Sequence, residues 1–145
     1  LLEAQNKIVD SYFQYIEKKR EPKDRFYMPR RKQLIKIGLV DALQGMIDDK
    51  YDILCVSLVP GAGKSTIEKF FHSAVAGWFP KDYSLFYSHS GDITRMYYDG
   101  VYDIVTNDDD YAWHDIFPNL SVTSTNAKME QIQTFSVSTM YFCRK

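Results

Sequence analysis

The sequence predicts an α/β fold, a parallel sheet core flanked by helices, and three observations predict it. Residues 52–66, DILCVSLVPGAGKST, read as a strand that breaks into a glycine-bearing turn; 67–78 read as the helix after it; and 83–87 read as a second strand. Ile53, Leu54, Cys55, Val56 and Leu58 form a short, mostly apolar and β-branched run, the pattern of a strand buried on both faces of a parallel sheet. Pro60, Gly61 and Gly63 stop that strand and free the backbone to curl. The right-handed crossover rule then sets 83–87 parallel to the first strand, completing a βαβ unit.

The other elements follow in order. Leu1, Ala4, Ile8, Tyr12, Tyr15 and Ile16 fall on one helical stripe, which predicts an amphipathic helix over about 1–17. The basic stretch EKKREPKDRFYMPRRK, broken by Pro22 and Pro29, reads as a connector into a second helix from about 30 to 48. Its Lys18, Lys19, Arg20, Lys23, Arg25, Arg30, Arg31 and Lys32 are individually ordinary solvated charges, and as a cluster they are candidates for contacting phosphate of ATP or DNA. Ile67, Phe70, Phe71, Ala74, Val75 and Trp78 recur at helical spacing after the loop. Ser90 can cap a helix over about 91–106, on which Ile93, Met96, Tyr97, Val101, Ile104 and Val105 are spaced for burial. Tyr111, Trp113, Ile116, Phe117 and Pro118 read as an aromatic plug, and 120–125 as a short edge strand.

Composition narrows the class. A chain of 145 residues, 45% hydrophobic and 15% aromatic, is about one domain with ample core. Eighteen basic against nineteen acidic residues, a net charge of −1, argue neither for nor against nucleic acid. Cys55 and Cys143 lack metal-ligand spacing and read as thiols of a reducing compartment. No run approaches the ~18 apolar residues that span a bilayer, and LLEAQNK is not a signal peptide. The chain begins with Leu1, from which a fragment is expected.

Strand, glycine loop and helix with Lys64 at the junction is the arrangement of a phosphate-binding P-loop, here in a truncated P-loop NTPase. Backbone N–H groups of Pro60–Thr66 (Gly61, Ala62, Gly63, Lys64, Ser65 and Thr66) and the positive helix N-terminus would cradle a polyphosphate. Lys64 would reach the β- and γ-phosphates, and the Ser65 hydroxyl would hold Mg²⁺. Leu58 stands where the strict pattern wants glycine, so a turn whose glycines merely let strand and helix pack is the competing reading. Against it, a lysine in the first helical turn opposes the macrodipole unless an anion sits there. His89 and Arg95 lie at the carboxyl edge of the second strand and are lesser candidates, whereas His72 and His114 read as structural. Asp108, Asp109 and Asp110 read as a solvated turn rather than a cation site.

Taken in succession, YMPRRKQLIKI, CVSLVPGAGKST, SLFYSHSGDITRMYYDGVYDIV and YAWHDIFPN resemble the N-terminal ATPase region of the large terminase subunit of tailed bacteriophages. The resemblance covers about residues 10–130 and rests on order and spacing as well as on the loop. Terminase loops commonly lack the first glycine, so Leu58 fits. Many carry Arg where Gly61 stands, a departure that bears on whether this loop supplies its own catalytic arginine. The resemblance implies the ATP-binding part of a motor that packages viral DNA, working in the cytoplasm of a bacterial host. It further implies ATP and Mg²⁺ as cofactors, and double-stranded viral DNA, a portal and a small terminase subunit as partners, with a homo-oligomeric ring possible and no membrane. Tyr27, Arg30 and Gln33 stand where the family's adenine-recognition segment lies.

Two family parts are missing from the sequence. No apolar strand after Thr66 ends in paired acids, and there is no nuclease domain, so ATP binding with poor hydrolysis is expected. QTFSVSTMYFCRK also departs from the family pattern; one dropped base near residue 133 would restore a run resembling its next strand, and an intact frame in the source DNA would refute that frameshift. The expected organisation is thus 1–26 helix and connector, 27–132 partial ATPase domain, and 133–145 an aberrant tail. Another P-loop enzyme, a nucleotide kinase or helicase-like ATPase, and an inactive nucleotide-binding module are the alternatives.

Overall fold

The computed structural model of the chain describes the backbone of residues 1–126, 131–134 and 139–144, and the side chains of residues 1–122. Helices dominate it: α1 (Leu2–Gln5), α2 (Val9–Ile16), α3 (Tyr27–Lys36), α4 (Leu39–Ile47), α5 (Lys64–Trp78), α6 (Gly91–Thr106) and α7 (Trp113–Ile116). The strands are short, β1 (Ser84–Ser88), β2 (Val122–Asn126), β3 (Gln131–Thr134) and β4 (Thr139–Arg144), in the order β1-β4-β3-β2. Only β1 and β4 run parallel, with Ser84 opposite Met140; β4–β3 and β3–β2 are antiparallel.

The expected P-loop fold with a parallel sheet core is therefore overturned. The core is helical, and residues 53–58, predicted as the central strand, form no strand. The physical reason is the lack of neighbours: among the described residues no backbone pairs with 53–58. Without them the apolar run alternates. Leu54, Val56 and Leu58 pack on the core, while Ile53 and Val59 are 80% and 75% exposed and Cys55 faces out. A run of continuous apolar residues is buried on both faces only when strands flank it and helices cover both sides.

Two predicted helices are each divided. The 1–17 stripe is broken where Lys7 takes a positive φ of 64°, yet Ala4, Val9, Tyr12, Phe13 and Ile16 remain on one buried side. The 30–48 helix starts earlier, at Tyr27, and ends at Gly38, whose φ of 76° puts it in the left-handed region and whose N–H donates to Ile35 O at 2.9 Å. Pro29 does not break α3, because it lies in the first turn, where its missing N–H has no helical partner to lose. The helices α5 and α6 lie where the spacing placed them.

Packing centres on α2 against α5. Tyr12 meets Trp78 edge-on at 5.4 Å, and its hydroxyl lies 2.8 Å from Ser73 Oγ. The Trp113 indole donates to Ser73 O at 3.0 Å, and Trp78 Nε1 donates to Ala4 O at 2.8 Å. The aromatic plug is as expected: Trp113, Ile116 and Phe117 are buried, and Ala112 N–H joins α7 to Ile16 O at 2.9 Å. Each such large side chain contributes about 1.5–3 kcal/mol by leaving water. No helix among the described residues is long and apolar enough to cross a membrane. In the C-terminal stretch 133–145, β4 pairs with β1, and Phe135, near the inferred frame change, lies outside the described residues.

Candidate functional site

The loop before α5 is built by two left-handed glycines. Gly61 has φ 81° and Gly63 has φ 86°, and Ala62 N–H closes a turn onto Val59 O at 3.2 Å. Gly63 then caps α5, its carbonyl accepting from Thr66 and Ile67 at 3.1 Å each. Among the described residues the N–H groups of Gly61, Gly63, Lys64 and Ser65 donate to no protein acceptor. They line or border a shallow cavity of about 440 Å³ formed by residues 58–66. Unpaired amides at a helix start suit an anion. Lys64 is half-exposed and leans along α5, its Nζ 3.7 Å from Glu68 Oε1, and Ser65 is exposed.

A second cavity, of about 240 Å³, adjoins the first. Arg30, Gln33, Leu34 and Ile37 of α3 form one wall, and Val59, Pro60, Gly61 and Ala62 form the other. Four loop residues are thus common to both cavities. Arg30 and Gln33 lie beside the loop, whereas Tyr27 does not join them. Tyr27 is fully buried, meets Phe13 edge-on at 5.1 Å, and donates its hydroxyl to Asp10 Oδ1 at 2.6 Å. Burial and the Asp10 carboxylate push its phenol pKa up.

Sequence reasoning missed the acids and the ring that hold α3 in place. Glu17, 1% exposed, accepts the N–H of Phe26 at 2.8 and 3.0 Å and that of Tyr27 at 2.8 Å. Asp10 takes a two-pronged contact from Arg31 at 2.8 and 2.6 Å. Burial works to raise the Asp10 pKa, but the hydrogen bonds from Arg31 and Tyr27 outweigh it and hold the carboxyl low. Phe26 sits against the loop: a Cβ on Gly63 would lie 2.0 Å from Phe26 Cζ. No sequence signal separates these acids from the solvated charges around them, since burial of a carboxylate is set by tertiary contacts.

The basic connector is largely spent on structure. Arg20 pairs with Glu17, Arg25 donates to Arg20 O and Lys18 O, Lys19 pairs with Asp115 and Lys23 with Glu21. Arg95 pairs with Asp99 at 3.1 Å, and His89 is exposed at the end of β1. Asp109 and Asp110 N–H groups donate to Asn107 Oδ1, and Asp108 lies 2.6 Å from His114 Nδ1. Among the described residues no three metal-ligating side chains are grouped. The apolar groove of about 370 Å³ between α4, α5, β1 and Val56 carries Lys64, Glu68, His72, Ser84 and Tyr97 among its mostly apolar lining, and Lys64 is the residue it shares with the loop cavity. No protein-family model, no curated protein and no solved structure matches this chain.

Proposed function

We propose that the chain binds ATP between its glycine loop and α3, as the ATP-binding part of a viral DNA-packaging motor of the large-terminase kind. One observation supports the binding reading above the rest: Arg30 and Gln33, far from the loop in sequence, share a cavity with Pro60, Gly61 and Ala62. The reading does not need the parallel sheet. Four unpaired amides and the positive end of α5 suffice to attract a polyphosphate. Lys64 would swing from Glu68 to the phosphates, since an exposed i,i+4 ion pair is worth only about 0.3–0.5 kcal/mol. Ser65 would hold Mg²⁺, and the Gln33 amide, which both donates and accepts, matches the mixed edge of adenine.

DNA, the portal, the small subunit and a ring belong to the motor reading and rest on the resemblance alone. The binding reading is tested by calorimetric titration of ATP·Mg²⁺ into the chain and into Lys64→Ala. Saturable binding weakened at least tenfold by the substitution is expected. Equal affinity in both proteins would defeat the assignment.

A further inference from the structure

We propose that Arg30 is the phosphate-contacting cation of this site and that Gln33 alone reads the base; the inference rests on the nucleotide-binding reading above. The resemblance groups the two residues together, but their surroundings differ in chemistry.

The Arg30 guanidinium lies 4.3 Å from the centroid of the Phe26 ring, and its Nη1 donates to Phe26 O at 3.1 Å. Arg20, Arg31 and Arg95 each pair with a carboxylate, to Glu17, Asp10 and Asp99. Arg30 has no carboxylate among the described residues, so its full charge and most of its five N–H donors remain available. The same Phe26 ring abuts Gly63, where a Cβ would lie 2.0 Å from Cζ. One ring therefore carries the guanidinium on its face and the loop glycine at its tip. Glu17 fixes that ring in turn by accepting the Phe26 N–H. The result is a cation that shares a cavity with Gly61 and stands on a ring that touches Gly63, in the same loop as the unpaired amides of Lys64 and Ser65.

The donors decide what it reads. Arginine only donates, and with one face against an aromatic ring it presents its N–H edge, which fits phosphate oxygens in a fork. The adenine edge offers one acceptor beside one donor, which a glutamine amide matches and a guanidinium does not. Arg30 is accordingly the group that supplements Lys64, which starts from its contact with Glu68.

The test is titration of ATP·Mg²⁺, GTP·Mg²⁺ and sodium tripolyphosphate into wild type, Arg30→Ala, Arg30→Lys and Phe26→Leu. Arg30→Ala should weaken all three about tenfold, leave the ATP-to-GTP affinity ratio unchanged and flatten the salt dependence. Arg30→Lys should recover part of the loss, and Phe26→Leu should fall between it and Arg30→Ala. An altered ATP-to-GTP ratio with tripolyphosphate binding intact would assign Arg30 to the base and overturn the inference, as would no change with any ligand. Wild type that binds neither ATP nor tripolyphosphate would instead overturn the nucleotide-binding reading, and this inference with it. Arg30 is exposed, so an unchanged melting temperature checks that the two Arg30 variants fold, and a single cooperative melt with wild-type helical circular dichroism checks Phe26→Leu, whose ring is part of the packing.

Discussion

Glu17 caps the helix that Tyr27 begins: the buried carboxylate accepts the Tyr27 N–H at 2.8 Å across ten residues of sequence. A local serine or aspartate ordinarily does this. Here a side chain of the preceding helical region reaches over the connector, so the position of α3 is set by α2.

Removing that carboxylate should both destabilise the protein and disturb the site. Glu17→Ala leaves the Phe26 and Tyr27 N–H groups without their acceptor and the partly exposed Arg20 without its carboxylate, an expected loss of about 2–4 kcal/mol in urea unfolding. Nucleotide affinity should fall as well, because Phe26 and Arg30 ride on that helix start. A loss below about 1 kcal/mol would show that the cap is dispensable.

Gly61 and Gly63 share a left-handed backbone but not the same surroundings. Ala at 61 meets open space and should cost only the backbone term, about 1–2 kcal/mol. Ala at 63 collides with Phe26 as well, and should cost about 2–4 kcal/mol. Melting of the two variants side by side decides it, and equal losses would remove Phe26 as the cause.

Stability should carry a histidine signature in mild acid. Burial pushes His72, which packs against Tyr97, from 6.5 down to about 4. The unfolded chain therefore takes up the proton first. Stability is fully present above about pH 6.5, falls by about 3 kcal/mol as pH drops to about 4, and levels off below. The difference between wild type and His72→Leu in urea unfolding isolates this group from Asp10, which loses its own contribution at lower pH. A difference that does not vary with pH would refute it.

ATP turnover should be very low. Among the described residues neither cavity at the loop is lined by Asp or Glu, and water activation in such sites needs a positioned polar or acidic group near the γ-phosphate. Phosphate release assays at saturating ATP should stay at the no-enzyme rate, and Lys64-dependent release would contradict this.

The helices around the loop were legible because their signals are local. Residues 67–78 and 91–106 carry apolar spacing that α5 and α6 reproduce, and the glycines at 61 and 63 mark the two left-handed turns. The strands at 83–87 and 120–125 were legible and correspond to β1 and β2, but the central one was not, because a strand is a relation between segments: 53–58 has the composition of a central strand and, among the described residues, lacks the neighbours. Tyr27 stays apart from the loop cavities for a similar reason. Its position beside Arg30 in sequence says nothing of Asp10 and Glu17, which draw it into the core. Arg30 and Gln33, on the outer side of the same helix, reach the loop.

Residues 53–59 carry a practical consequence for work at the bench. Seven residues without charge or proline, rich in β-branched and other apolar side chains and, among the described residues, with no backbone partner before Val59 O, make a sticky tape along the outside of the molecule. The chain should cloud at high concentration long before it unfolds. Replacing outward-facing Ile53 or Val59 with lysine should clear it without disturbing the side that holds Leu54, Val56 and Leu58.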